Sequence, residues 1–138
     1  MQAALILSVA LFVVGCASVS ELRGREPDRQ LMAAGRYDRL AACVASKLDE
    51  IEGHGQPPTL RVDEAQKTAR VFKLIDRSDS ALYDLYFVQA GANSVKVEGR
   101  SMATIHGRGY HLIALWPAVE QCAEVGTAKS GAGAVKSL

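Results

Sequence analysis

From Ala3 to Val14 every position except Ser8 is apolar, and no charged side chain occurs before Glu21. The run is shorter than the roughly 20 residues a helix needs to cross the hydrocarbon core. It closes on the small residue Gly15, which is the profile of an export signal and its cleavage site rather than of a spanning helix. Residues 16–35 hold no sustained period, are interrupted by Gly24, Pro27 and Gly35, and read as a tether. The pattern then turns helical: Leu40, Cys43, Val44, Leu48 and Ile51 recur at three- and four-residue spacing and predict a helix over 36–52, with Gly53 as its C-cap. His54-Gly55-Gln56-Pro57-Pro58 predicts a loop.

From Thr59 to Ile105 the period shortens to two. Thr59–Asp63 and Thr68–Ile75 predict strands, the turn-forming run Asp76–Ser80 follows, and Ala81–Ala90 is the strongest strand. Within it Tyr83, Leu85 and Phe87 share one face and Asp84, Tyr86 and Val88 the other. Gly91-Ala92-Asn93 predicts a hairpin loop, and the strand after it, alternating from Val95, runs toward Ile105 with a bulge expected at Gly99. Pro117 is at home only in a first turn, so the last helix is expected to begin near Trp116 and to end at Val125. Residues 126–138, rich in Gly, Ala and Ser, are expected to be disordered. The predicted architecture is α+β and two-layered: an N-terminal helix, about four antiparallel strands and a C-terminal helix, with both helices on one sheet face. The expected division is 1–15 signal, 16–35 anchor and tether, 36–125 a single domain and 126–138 tail.

Val13-Val14-Gly15-Cys16 resembles the lipobox of bacterial prolipoproteins: two branched aliphatics, a glycine, then a cysteine. Met1-Gln2 departs from the usual pattern in carrying no Lys or Arg. The resemblance, confined to residues 1–16, implies cleavage before Cys16 and acylation of Cys16, both on its thiol and on the new amino terminus. Two or more acyl chains give a stable membrane anchor where one gives marginal binding. Ala17 stands where an aspartate would favour inner-membrane retention, so the resemblance implies the outer membrane, facing the periplasm.

Export changes how the other two cysteines are read. With Cys16 taken by lipid, Cys43 and Cys122 form an even pair in an oxidising compartment and predict a disulfide. Closing a loop of about 80 residues removes roughly 4–5 kcal/mol of chain entropy from the unfolded state. The 16 Lys+Arg balance 15 Asp+Glu, and aromatic content is 6%. Neither figure supports a nucleic-acid surface or a base-stacking platform.

Catalytic signatures are sparse. The chain holds no Gly-x-Ser-x-Gly elbow, no phosphate-cradling glycine loop after a strand and no His-Glu-x-x-His. His54 lies between glycines, and His106 and His111 flank Gly107-Arg108-Gly109 at a spacing that matches no zinc signature, so no metal and no cofactor are expected. Arg70, Lys73 and Arg77 read as a solvated sheet edge. Tyr83, Tyr86, Tyr110 and Trp116 are the side chains best suited to a binding face, and equally to the rim of a two-layer core. The reading that results is a lipid-anchored envelope module that binds or assembles without catalysis, its partner an envelope protein or a cell-wall component. The alternatives are a thiol- or His-dependent periplasmic enzyme and a purely structural tether.

Overall fold

The computed structural model describes residues 18–135 apart from 54, 76, 77 and 79, and for 127–135 the backbone alone. The signal, Cys16, His54, Arg77 and residues 136–138 lie outside the described residues. The chain runs α1 (Val19–Gly24), β1 (Arg29–Ala34), α2 (Tyr37–Glu52), β2 (Thr59–Asp63), β3 (Thr68–Leu74), β4 (Ala81–Gly91), β5 (Ser94–Ser101) and α3 (Tyr110–Val135). The strands form one antiparallel sheet in the order β1-β5-β4-β3-β2.

The alternation read in β4 sets the layers. Tyr83, Leu85 and Phe87 join Val71 of β3 and Val95 and Val97 of β5 under the helices. Leu40, Val44 and Leu48 of α2 and Leu112, Trp116 and Val119 of α3 complete this core. Each fully buried aliphatic or aromatic side chain is worth about 1.5–3 kcal/mol. Cys43 and Cys122 form a disulfide, with 6.0 Å between their Cα atoms, and join the two helices. Glu52, at the other end of α2, lies by the first turns of α3, so the pair runs antiparallel.

Five strands form where about four were expected, because the segment expected as a tether is structured. Ser18-Val19-Ser20-Glu21 is a capping box: the Glu21 N–H donates to Ser18 Oγ (3.2 Å) and the Ser18 N–H to Glu21 Oε2 (2.9 Å). A six-residue helix is marginal alone; burial of Leu22 holds α1 on the sheet face away from α2 and α3. β1 then pairs with β5 from Arg29↔Gly99 to Ala34↔Ser94. Gln89 ties that edge to the β4–β5 hairpin. Its Oε1 accepts the Tyr37 N–H (3.0 Å), and its amide donates to the Gly35 carbonyl (3.1 Å).

Three further expectations are corrected. Gly99 lies in an unbroken stretch of the β4–β5 ladder, not at a bulge; the register shifts fall at Lys73/Leu74 and Gln89/Gly91. A Cβ at Gly99 would stand 2.7 Å from Trp116 Cζ3, so glycine there lets the indole seat against the strand. β5 ends at Ser101, short of Ile105. α3 starts at Tyr110, before Pro117, and continues to Val135 through the segment expected to be disordered. Leu112 and Trp116 bury on the sheet ahead of Pro117, and together they outweigh the roughly 3 kcal/mol of a proline inside a helix. Pro117 itself faces solvent. Among the described residues no helix is long and apolar enough to cross a membrane.

Candidate functional site

The four aromatic residues put forward from the sequence separate. Tyr83 and Trp116 are core side chains and form no part of an exposed face. Tyr86 is half-buried on the opposite sheet face, with the Arg70 guanidinium 3.9 Å from its ring centre. Tyr110 is exposed, at the start of α3.

Three exposed apolar side chains, Ile105, Tyr110 and Ile113, lie in the turn before α3 and in its first turns. Thr104 and Gly107 exchange backbone hydrogen bonds (3.2 and 2.9 Å) and close a tight turn. Gly107 and Gly109 take φ of 104° and 74°, values that suit glycine alone, and lead the chain into α3. The turn lifts Ile105 into solvent at 98% exposure, while Tyr110 is 44% and Ile113 59% exposed. The His106 ring stacks on Tyr110 with centres 4.6 Å apart. Ile113 and Ala114 follow Tyr110 at helical spacing and lie along the same side of α3.

Beside them a groove of about 300 Å³ runs between the end of α2 and the start of α3, bounded by Leu82, Tyr110, His111, Ile113, Ala114 and Glu52. Glu52 is engaged at its polar end: Lys73 Nζ donates to Oε2, and the Tyr83 hydroxyl donates to Oε1 at 3.1 Å. Burial, joined by the Glu52 charge and hydrogen bond, pushes the Tyr83 phenol well above its ordinary value. It is therefore a fixed donor, unsuited to act as a base. His111 stands edge-on to Tyr110 at 6.0 Å, and its Nε2 is buried with no hydrogen-bond partner among the described residues. Ile105 and Ile113 are aliphatic, so their side-chain type does not mark them for a binding face. The one sequence signal near Ile105 is the pair Gly107 and Gly109 that follows it.

The opposite sheet face is charged. Asp84 has no solvent exposure and accepts from Arg23 Nε (3.2 Å) and Arg70 Nη1 (2.6 Å). Arg23 and Arg61 both lie over the Phe72 ring, at 5.1 and 5.4 Å. Glu98 bridges Lys96 and Arg100 (both 2.9 Å). Burial raises its carboxyl, but hydrogen bonds and charge from the two cations outweigh that and leave it below its ordinary value. Arg70 and Lys73, expected on a solvated edge, are both ion-paired and lie on opposite faces of β3. Among the described residues no three His, Cys, Asp or Glu side chains gather as a metal site.

The described residues define an α+β domain: an antiparallel sheet with α2 and α3, joined by the Cys43–Cys122 disulfide, on one face, α1 on the other, and exposed apolar side chains at the start of α3. No protein-family description, curated protein or solved structure matches the chain.

Proposed function

We propose that this chain is a lipid-anchored bacterial envelope protein that acts by binding another envelope protein through the Ile105–Tyr110–Ile113 surface. The exposed apolar side chains Ile105, Tyr110 and Ile113, the last two lining the groove, carry the reading. Apolar side chains rimmed by polar ones mark contact sites, and aromatic anchors supply much of the energy at protein interfaces. A patch of this kind favours a protein partner over the polar glycan of a cell wall. The lipobox at Val13–Cys16 supports the anchor at Cys16, cleavage before it and a place on the outer membrane facing the periplasm. The joined Cys43 and Cys122 hold no free thiolate, and Glu52 and Asp84 are each occupied by cations. Those pairings favour binding over a thiol- or carboxylate-based reaction.

The test is photo-crosslinking in cells with a reactive amino acid at Ile113, compared with the same probe at the exposed α2 position Asp49. One specific adduct from Ile113, lost on Ile105→Asp, is the expected result. No adduct from Ile113, or adducts insensitive to Ile105→Asp, would dismiss the patch. Intact mass of the membrane-purified protein tests the anchor separately: residues 16–138 plus acyl chains is expected, and an unprocessed chain would remove it.

A further inference from the structure

The two sheet edges are finished differently. At β1 the second half of α3 crosses close to the last residue of the strand, with Ala34 O only 2.7 Å from where a Cβ on Gly126 would stand. β2, the other edge, pairs among the described residues with β3 alone, and all five of its residues are exposed.

Its free hydrogen-bonding groups can be assigned. The Gln89 N–H donates to the Lys67 carbonyl at 3.1 Å, so odd-numbered residues of β3 bond toward β4. Thr68, Arg70 and Phe72 then bond toward β2, where their partners are Asp63, Arg61 and Thr59. Leu60 and Val62 therefore present their N–H and C=O groups outward from the edge. Their side chains, on the helix side of the sheet, are 39% and 45% exposed.

An antiparallel strand from a second copy can meet this edge about a two-fold axis at three central positions. Centring on Leu60 brings Pro58, which has no N–H, opposite Val62. Centring on Arg61 sets two guanidinium groups face to face, which is destabilising. Centring on Val62 lets the two Val62 residues exchange both backbone hydrogen bonds. It also places Arg61 of each copy opposite Asp63 of the other, twice over, on the charged face of the sheet. Charge complementarity thus selects one register.

We propose that the protein forms a symmetric dimer through antiparallel β2–β2 pairing centred on Val62, which carries the sheet across both copies and covers Leu60 and Val62. The surface is separate from the Ile105–Tyr110–Ile113 patch and does not depend on its role.

The test is sedimentation velocity of the full chain in mild detergent over a range of concentrations. A monomer–dimer equilibrium is expected. Val62→Pro, which removes an N–H that β3 does not use, should weaken it at least tenfold with the circular dichroism spectrum unchanged. Arg61→Glu and Asp63→Lys should each weaken self-association similarly. Mixed together, those two charge variants should pair with each other about as well as the parent chain pairs with itself, because both cross-strand contacts are again between opposite charges. A monomer at every concentration, a dimer indifferent to Val62→Pro, or charge variants that fail to pair when mixed would each overturn the proposal.

Discussion

Arg70 Nη1 donates to Asp84 Oδ2 at 2.6 Å, and the carboxylate it meets has no access to solvent. Arg23 reaches the other oxygen from α1. The pair, with its second arginine, therefore fastens the N-terminal helix to the centre of the sheet. Removing Asp84 leaves two arginines whose side chains are 28% and 25% exposed and can be solvated, so the loss is that of charged hydrogen bonds, about 1.5–3 kcal/mol. Asp84→Ala should lower unfolding stability by that amount, measured by urea titration. It should also detach α1, visible as faster amide exchange at Leu22.

Glu98 supplies a pH dependence. Its folded-state carboxyl lies below its ordinary value, through its bonds to Lys96 and Arg100 that outweigh burial. A depressed carboxyl contributes stability above its unfolded value, near pH 4.3, and loses it as pH falls through the folded value. Glu98→Gln should therefore cost roughly 1 kcal/mol at pH 7. The difference from the parent should close as the pH is taken below 4, in thermal melts run across that range.

Tyr83 moves in the opposite sense. Burial and Glu52 raise its phenol, so the hydroxyl keeps its proton while an ordinary tyrosine ionises near pH 10. The phenolate absorbance step near pH 10 should be equally high in the parent and in Tyr83→Phe, read where circular dichroism shows the fold intact. A smaller step in the variant would show Tyr83 ionising with the rest. The variant should also lose about 1 kcal/mol with its hydrogen bond to Glu52.

Gly99 has no room for a side chain. A Cβ there would lie 2.7 Å from Trp116 Cζ3 and 3.2 Å from Leu112 Cδ1. Gly99→Ala should destabilise by about 1–3 kcal/mol, the usual range for overpacking a core. Tryptophan fluorescence should shift as the indole is displaced. In a Trp116→Leu background the penalty of the alanine should shrink, because the obstructing ring is gone.

Breaking the disulfide tests the staple. The cysteines are 79 residues apart in sequence, and releasing a loop of that size restores about 4–5 kcal/mol of unfolded-state entropy. Reduction, or Cys43→Ser with Cys122→Ser, should lower the unfolding midpoint by the corresponding amount. The double serine variant should lose somewhat more than reduction does, because Cys122 is buried in the core with Cys43 packed against it, and a hydroxyl there is less apolar than a thiol.

Where a single periodicity rules a segment, the sequence is legible. The stripe Leu40–Cys43–Val44–Leu48 and the alternation of β4 appear in the structure as read, although Ile51, the last member expected of the stripe, is 57% exposed, and the pairing expected of Cys43 with Cys122 matches the disulfide. β1 escaped because Gln30-Leu31-Met32-Ala33-Ala34 does not alternate; its identity as a strand comes from β5, its partners there running from Gly99 for Arg29 to Ser94 for Ala34. α1 did leave a trace, the Ser18–Glu21 capping box, too short to be persuasive without the burial of Leu22. Pro117 hid the true start of α3, because local propensity cannot weigh the burial of Leu112 and Trp116 against it. The placing of Tyr83 was recoverable: sharing a face with Leu85 and Phe87, it had to join them under the helices. Ile105 could not be ranked, since side-chain type alone does not say whether a turn projects its residue outward.

The Cys43–Cys122 bond also divides the molecule mechanically. β2, β3, β4 and β5 all lie between the two cysteines, so none of them can lengthen when the chain is pulled at its two ends. Tension entering from the N-terminal side would be carried first by α1 and β1, the segments outside the covalent loop. β1 is attached to β5 along its length and would resist in shear, while the sheet behind it stays closed as one inextensible block.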